Sequence, residues 1–193
     1  MTKVLLFHHA HGLTDGVREF ADDLTREGHT VHLPDLYDGN VFTALSDGIA
    51  YAQDVGVDTI VQRGVEAASG LPDAIVYAGF SLGVMPAQRL AQTRPGAAGA
   101  LLFEACLPVS EFGDGWPTGV PVQIHGMDDD EFFVQEGDID AARALAASTK
   151  DAELFTYPGS GHLFADRSLD SYDETAARTL IRRTLAFLAE VGP

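Results

Sequence analysis

The sequence predicts an α/β fold, a mostly parallel sheet of about six to seven strands with helices on both faces and no cap domain. Short apolar runs alternate with stretches of helical periodicity along the whole chain. The runs are apolar at successive positions rather than alternate ones, as in strands buried on both faces. Glycines and prolines punctuate the boundaries between them.

Residues 4–7, Val-Leu-Leu-Phe, read as the first strand, ended by His8 and His9. Val17, Phe20, Ala21 and Leu24 have helical spacing over residues 17–26, and Gly28 stops that helix. Residues 30–33 form a second short strand before Pro34. Residues 46–69 read as helix with a break near Gly56. Strand three is 74–78, followed by a helix over 83–92 that Pro95 and Gly96 end. Strand four is 99–103 and strand five 120–124. An alanine-rich helix covers 138–148, strand six 152–157, and a closing helix 171–190. Two long loops, 108–119 and 126–137, follow strand ends, where open α/β sheets place ligand sites.

The 193 residues suit a single domain over 1–193. A formal net charge of −17 repels phosphate backbones and anionic membranes, so nucleic acid and membrane partners are not expected. One cysteine, Cys106, excludes an internal disulfide and fits a reducing compartment. The chain shows no signal-peptide pattern and no apolar run of membrane-spanning length, so a cytoplasmic location is expected.

The stretch Gly79-Phe80-Ser81-Leu82-Gly83 has the form G-x-S-x-G, between an apolar strand and a helical pattern. In that context the glycines clear space for a sharp strand-to-helix turn, and the serine hydroxyl projects above the sheet. The plainer reading is a tight turn that merely needs glycine. A serine nucleophile requires a base and an orienting acid. His162, in "YPGSGHLF", lies in a glycine-rich loop after strand six, where an imidazole can swing over the sheet edge. Asp128, Asp129 and Asp130 follow strand five and supply candidate acids; Glu104, closing strand four, is a rival. His8, His9 and His11 form the "HHAH" cluster, with no carboxylate nearby in sequence to complete a metal site. His29, His32 and His125 read as packing or solvent-facing histidines, and Cys106 as a core thiol.

These motifs, with "HHAHGLTDGVREFADDLTREGHTVHLPDLYDG" and "PVQIHGMDDDEFF", resemble the dienelactone hydrolase family of α/β-hydrolases over nearly the whole chain. The resemblance implies Ser81 as nucleophile, His162 as base and an aspartate after strand five. The family's spacing from the histidine of "QIH" indicates Asp130, and the broader G-x-x-D habit, counted from Gly126, indicates Asp129; Asp130 is the acid expected here. It further implies an oxyanion hole of the Ala10 and Leu82 amides. The chain departs from the family pattern in having Ser81 in place of cysteine and His9 in place of a first-loop glutamate. Asp166 stands where an arginine holds the substrate carboxylate, which puts dienelactone itself in doubt. The family's N-terminal strand pair is expected to be missing.

The expected activity is that of a serine hydrolase cleaving an ester, lactone or similar acyl bond of a small molecule, with no metal or organic cofactor; a homodimer, the commonest assembly of soluble oligomers, is the expected partner state. Phe112, Trp116, Phe132, Phe133 and Phe164 are candidate pocket or loop-packing residues. Two rivals are a non-catalytic binding protein on the same scaffold and a flavodoxin-like nucleotide-binding module. The second lacks a glycine-rich phosphate loop after strand one.

Overall fold

The computed structural model describes residues 1–192. Among them, six parallel strands form one sheet in the order β2-β1-β3-β4-β5-β6. The strands are β1 (Lys3–Phe7), β2 (Thr30–His32), β3 (Val76–Phe80), β4 (Gly99–Phe103), β5 (Val122–Met127) and β6 (Ala152–Tyr157). The helices are α1 (Asp15–Arg26), α2 (Leu45–Val55), α3 (Val57–Ala67), α4 (Val84–Thr93), α5 (Asp138–Ser148) and α6 (Glu174–Val191). No separate cap domain is present among the described residues, and none of their helices is long and apolar enough to cross a membrane.

Alternation along each strand divides the core into two layers. Leu5, Phe7, Tyr77 and Leu102 face α2 to α5, where Ala52, Ile60, Leu90 and Leu145 meet them. Val4, Leu6, Val76 and Leu101 face α1 and α6, where Phe20, Leu24, Leu180 and Leu188 close the other side. Strands buried on both sides account for the continuous apolar runs.

Several boundaries differ from the sequence reading. β3 starts at Val76 and continues to Phe80, so it delivers Gly79 within the strand. β5 begins after Pro121, which has no N–H for the ladder, and continues to Met127 because every residue pairs with β6. His125 is therefore inside a buried strand rather than at its end. Much of the expected 126–137 loop is structured, the π-helical turn Glu131–Gln135 following the end of β5. α6 starts at Glu174 because the Asp173 side chain accepts from the Ala176 amide and caps it. The break between α2 and α3 falls at Gly56, with φ of 92°.

The turn from β3 into α4 is packed against the end of β1. A Cβ at Gly83 would sit 2.6 Å from the carbonyl oxygens of both Phe7 and His8, and one at Gly79 would sit 2.1 Å from the Gly83 carbonyl oxygen. Both neighbours are backbone and cannot turn aside. Gly83→Ala is expected to cost about 1–3 kcal/mol of stability, the range for overpacking a filled site, read as a lower midpoint in urea unfolding.

Burial keeps two histidines neutral at pH 7. His8 donates from Nδ1 to the His9 carbonyl (2.8 Å) and accepts the Leu36 amide at Nε2 (3.0 Å). Burial lowers its pKa to about 4. His125 meets the Tyr157 hydroxyl at 2.8 Å, and burial lowers its pKa to about 3. Below the ordinary imidazole value the unfolded chain takes up protons that these rings refuse, so their contribution to stability is lost as pH falls from about 6.5. Each accounts for up to about 3 kcal/mol by pH 4.5. Glu104 acts oppositely, because its raised pKa makes the folded state bind a proton first. Comparison with His125→Gln isolates the histidine effect: urea unfolding between pH 7 and pH 4.5 is expected to show a smaller stability loss in the variant than in the parent protein.

Candidate active site

The strand order reverses between β1 and β3, since the chain leaves β1 toward β2 and returns across to β3. Loops diverging at such a point leave a crevice beyond the carboxyl ends of the strands. Ala10, after β1, and Ser81, after β3, both line the cavity found there.

Ser81 sits at φ +47°, a left-handed backbone held by the close packing of Gly79 and Gly83. It begins the 3₁₀ turn Ser81–Gly83 that leads directly into α4. The Leu82 amide is thus among the first N–H groups of a helix, which have no acceptor within the helix itself. Ala10 lies in the turn closed by the Gly12 N–H to His9 carbonyl bond of 3.0 Å, and Gly48 of α2 packs over its carbonyl.

His162 and Asp130 arrive from the neighbouring loops. His162 Nε2 is 3.0 Å from Ser81 Oγ, and its Nδ1 is 2.7 Å from Asp130 Oδ2. A carboxylate accepts only, so the imidazole proton is on Nδ1 and Nε2 is left to accept the serine hydroxyl. Asp130 is fully buried, and its other oxygen accepts the Phe132 amide at 3.0 Å. That bond caps the π-helical turn, so the turn aims the carboxylate. The acid and base loops are further joined by the Asp129 amide to the Gly159 carbonyl (2.9 Å) and by the Gly159 amide to Asp128 Oδ1 (3.0 Å). Of the three consecutive aspartates, only Asp130 reaches His162; Asp128 serves the loop and Asp129 is exposed.

Glu104 is not brought to His162. Its Oε1 accepts the Phe164 amide at 2.8 Å, and Oε2 has no hydrogen-bond partner. Complete burial, together with the charge of Asp130, raises its pKa well above the carboxylate range and keeps it neutral. Asp138 is pushed up to about 6, chiefly by burial, against the opposing bond from the Cys106 amide. Cys106 is a core thiol, raised to about 12 by burial.

The histidine cluster is dispersed among separate partners. His8 turns toward Leu36, His11 Nδ1 donates to the Phe42 carbonyl (2.8 Å), and His9 Nε2 meets Asp166 Oδ2 at 2.7 Å. Two departures noted in the sequence, His9 and Asp166, are therefore the two ends of one buried hydrogen bond. Asp166 is not part of the cavity wall.

The cavity measures about 350 Å³. Of the five aromatic candidates only Phe132 lines it, its ring 4.6 Å from that of His162. Phe133 and Phe164 are fully buried, while Trp116 donates to the Val120 carbonyl (2.7 Å) and packs on the core. The wall that sequence reading missed comes from α2 and the start of α3: Leu45, Ile49, Ala52, Gln53 and Val57. Their apolar spacing was visible as helix, but nothing in it told which layer lies over the serine. Glu136 completes the lining, and no lysine or arginine is part of it among the described residues.

Known proteins resemble the chain in sequence and in fold. A pimeloyl-[acyl-carrier protein] methyl ester esterase of Salmonella heidelberg is 28% identical over 122 residues, 63% of this chain. The match covers 43% of that esterase, less than half its length. A dienelactone hydrolase-like promiscuous phosphotriesterase from metagenomic libraries superposes with a TM-score of 0.74 at 22% identity, covering 99% of this chain and 87% of that one. Thermogutta terrifontis esterase 2 does so with a TM-score of 0.69 at 17% identity, covering 99% and 84%. The pattern that defines the dienelactone hydrolase family matches residues 1–192, and the chain belongs to that family.

Proposed function

We propose that residues 1–193 work as one domain, a serine hydrolase that cleaves an ester or related acyl bond of a small, largely apolar molecule. The observation that carries this reading is the unbroken hydrogen-bonded chain from Ser81 through His162 to Asp130, opening into an apolar cavity. Family membership and the esterase relative support it.

In this reading the substrate carbonyl lies over Ser81, with its oxygen toward the Ala10 and Leu82 amides. Ser81 Oγ bonds to the carbonyl carbon as His162 Nε2 takes the hydroxyl proton. The two amides stabilise the negative charge that develops on the oxygen. Collapse of this tetrahedral adduct breaks the bond to the leaving oxygen, which receives the proton from His162. Water then enters, gives a proton to Nε2, and attacks the acyl-enzyme; the acid departs and the proton returns to Ser81 Oγ. Asp130 holds the ring in the required tautomer and stabilises the imidazolium formed in each half-reaction.

The wall residues set the substrate's character. Leu45, Ile49, Ala52 and Val57 favour a short alkyl or other apolar acyl group. Glu136 on the lining, and no cation to oppose it there, disfavours an anionic acyl group. A soluble dicarboxylate is therefore a poor fit.

Release of p-nitrophenol from the butyrate ester tests the proposal. Ser81→Ala is expected to lower kcat by about 10⁶-fold and to abolish labelling by a phosphonate ester, with Asp130→Asn losing on the order of 10⁴-fold. Near-background turnover equal in the parent and Ser81→Ala proteins would instead favour a non-catalytic binding protein. For charge selection, kcat/KM for the mono-p-nitrophenyl ester of glutarate is expected to fall about tenfold below that for the butyrate ester, and Glu136→Gln to narrow the gap. Equal values for the two esters, unaffected by the variant, count against the charge argument.

A further inference from the structure

Beside the Ser81–His162–Asp130 chain the fold buries a second histidine–carboxylate pair that the steps above do not use. Asp166 is 3% exposed and His9 is fully buried. Asp166 Oδ2 accepts His9 Nε2–H at 2.7 Å and the Thr14 hydroxyl at 2.5 Å. Its Oδ1 accepts the Ser168 amide at 2.8 Å and the Ser168 hydroxyl at 2.6 Å. All four donors are neutral groups. Burial works against the Asp166 charge, but these bonds outweigh it and lower its pKa to about 2. Burial lowers the pKa of His9 in spite of its partner. The pair is thus a carboxylate held by a neutral imidazole.

Packing around the carboxylate is close. A Cβ at Gly16 would lie 1.7 Å from Asp166 Oδ1, so the first turn of α1 rests directly on it. The Thr14 hydroxyl uses both its capacities, donating to Asp166 and accepting the Val17 amide as the cap of α1. A buried carboxylate without a cation is costly, and apolar side chains of the same volume would stabilise the site at least as well. What the hydrogen bonds supply that apolar packing does not is direction.

The two residues stand at informative points of the chain. His9 precedes Ala10, and its Nδ1 accepts the His11 amide at 3.3 Å, so the ring grips the turn on both sides of Ala10. Asp166 closes the turn that begins just after His162, through its own amide to the Leu163 carbonyl at 3.0 Å. Leu163 in that turn is left-handed, with φ of 64°, a conformation that needs outside support.

We infer that His9 and Asp166 are positioning residues, a clasp that joins the β1–α1 turn to the β6–α6 loop and so fixes the Ala10 amide relative to the His162 ring across Ser81. The inference rests on the roles given to Ala10 and His162 above. It assigns the pair no contact with substrate. Loosening the clasp misplaces an oxyanion donor relative to the base, which slows the chemical steps and leaves binding in the α2–α3 wall intact.

The test compares His9→Leu, which removes the donor, with His9→Gln, which keeps an N–H near the Nε2 position, and with Thr14→Val. kcat and KM for p-nitrophenyl butyrate are measured well below the unfolding midpoint and normalised to sites titrated by phosphonate labelling. Amide hydrogen exchange is followed in the same proteins. Leucine is expected to lower kcat by about 10- to 100-fold with KM within about threefold of the parent. Glutamine is expected to restore most of it. Exchange is expected to rise in 10–12 and in 163–166 together and to stay unchanged in 109–112. An unaltered kcat in folded His9→Leu, no rescue by glutamine, or loosening of one loop alone overturns the clasp. If His9→Leu does not fold, Thr14→Val decides, because it removes one bond to Asp166 and must loosen both loops by a smaller factor. Failure of the parent protein to turn over the ester would overturn the reading of the site instead, and the exchange arm would still decide whether the two loops are joined.

Discussion

The close approach of the β3–α4 turn to the end of β1 is the constraint on which the other parts of the site depend. Backbone meets backbone there, with Gly83 lying against the Phe7 and His8 carbonyls, so no side chain of the turn can mediate the contact. The approach forces Ser81 into a left-handed conformation and sets it beside Ala10 at the crevice between β1 and β3. Glu104 and Leu163 are also left-handed, at φ of 63° and 64°. Such backbones cost about 1–3 kcal/mol each and persist only where the surroundings over-determine them. Here the surroundings are connected, because the Glu104 carboxyl accepts the amide of Phe164, the residue after Leu163.

Three buried acids near the site reach electrostatic balance by different routes, none involving a lysine or arginine. Asp130 accepts from His162 and from the Phe132 amide. Asp166 gathers four neutral donors. Glu104 keeps its proton, because a further negative charge beside Asp130 in a dry interior is the least favourable state. A carboxylate that receives hydrogen bonds from oriented neutral donors stays charged without a counter-ion, and it holds direction better than a flexible cation would.

The sheet and its order of elements were legible because strands buried on both faces leave unbroken apolar runs, and helices leave a longer period. β4, α5 and β6 emerge over the ranges expected from sequence. Ser81 and His162 were legible as well, since glycines mark the places where backbones crowd or turn. Among Asp128, Asp129 and Asp130, only the family's spacing singled out Asp130, because local pattern cannot foresee a π-helical turn whose unusual hydrogen bonding has no composition signature. The partnership of His9 with Asp166 spans 157 positions and joins two loops, so local pattern could not reveal it. The cavity wall was hidden for a similar reason: apolar residues of α2 look alike whether they cover the core or the crevice.

The groups proposed to carry the chemistry come from strand ends, whereas most of the apolar wall above them comes from one crossover between β2 and β3, broken at Gly56. The two parts occupy separate stretches of the gene. Substitutions in Leu45, Ile49, Gln53 or Val57 can reshape what enters without disturbing the bonds among Ser81, His162 and Asp130. Such a division lets a lineage drift from one acyl group to another through viable intermediates, each still able to perform the same reaction. It also gives a protein engineer a compact library region, two consecutive helices, in which diversity carries little risk to the machinery beneath.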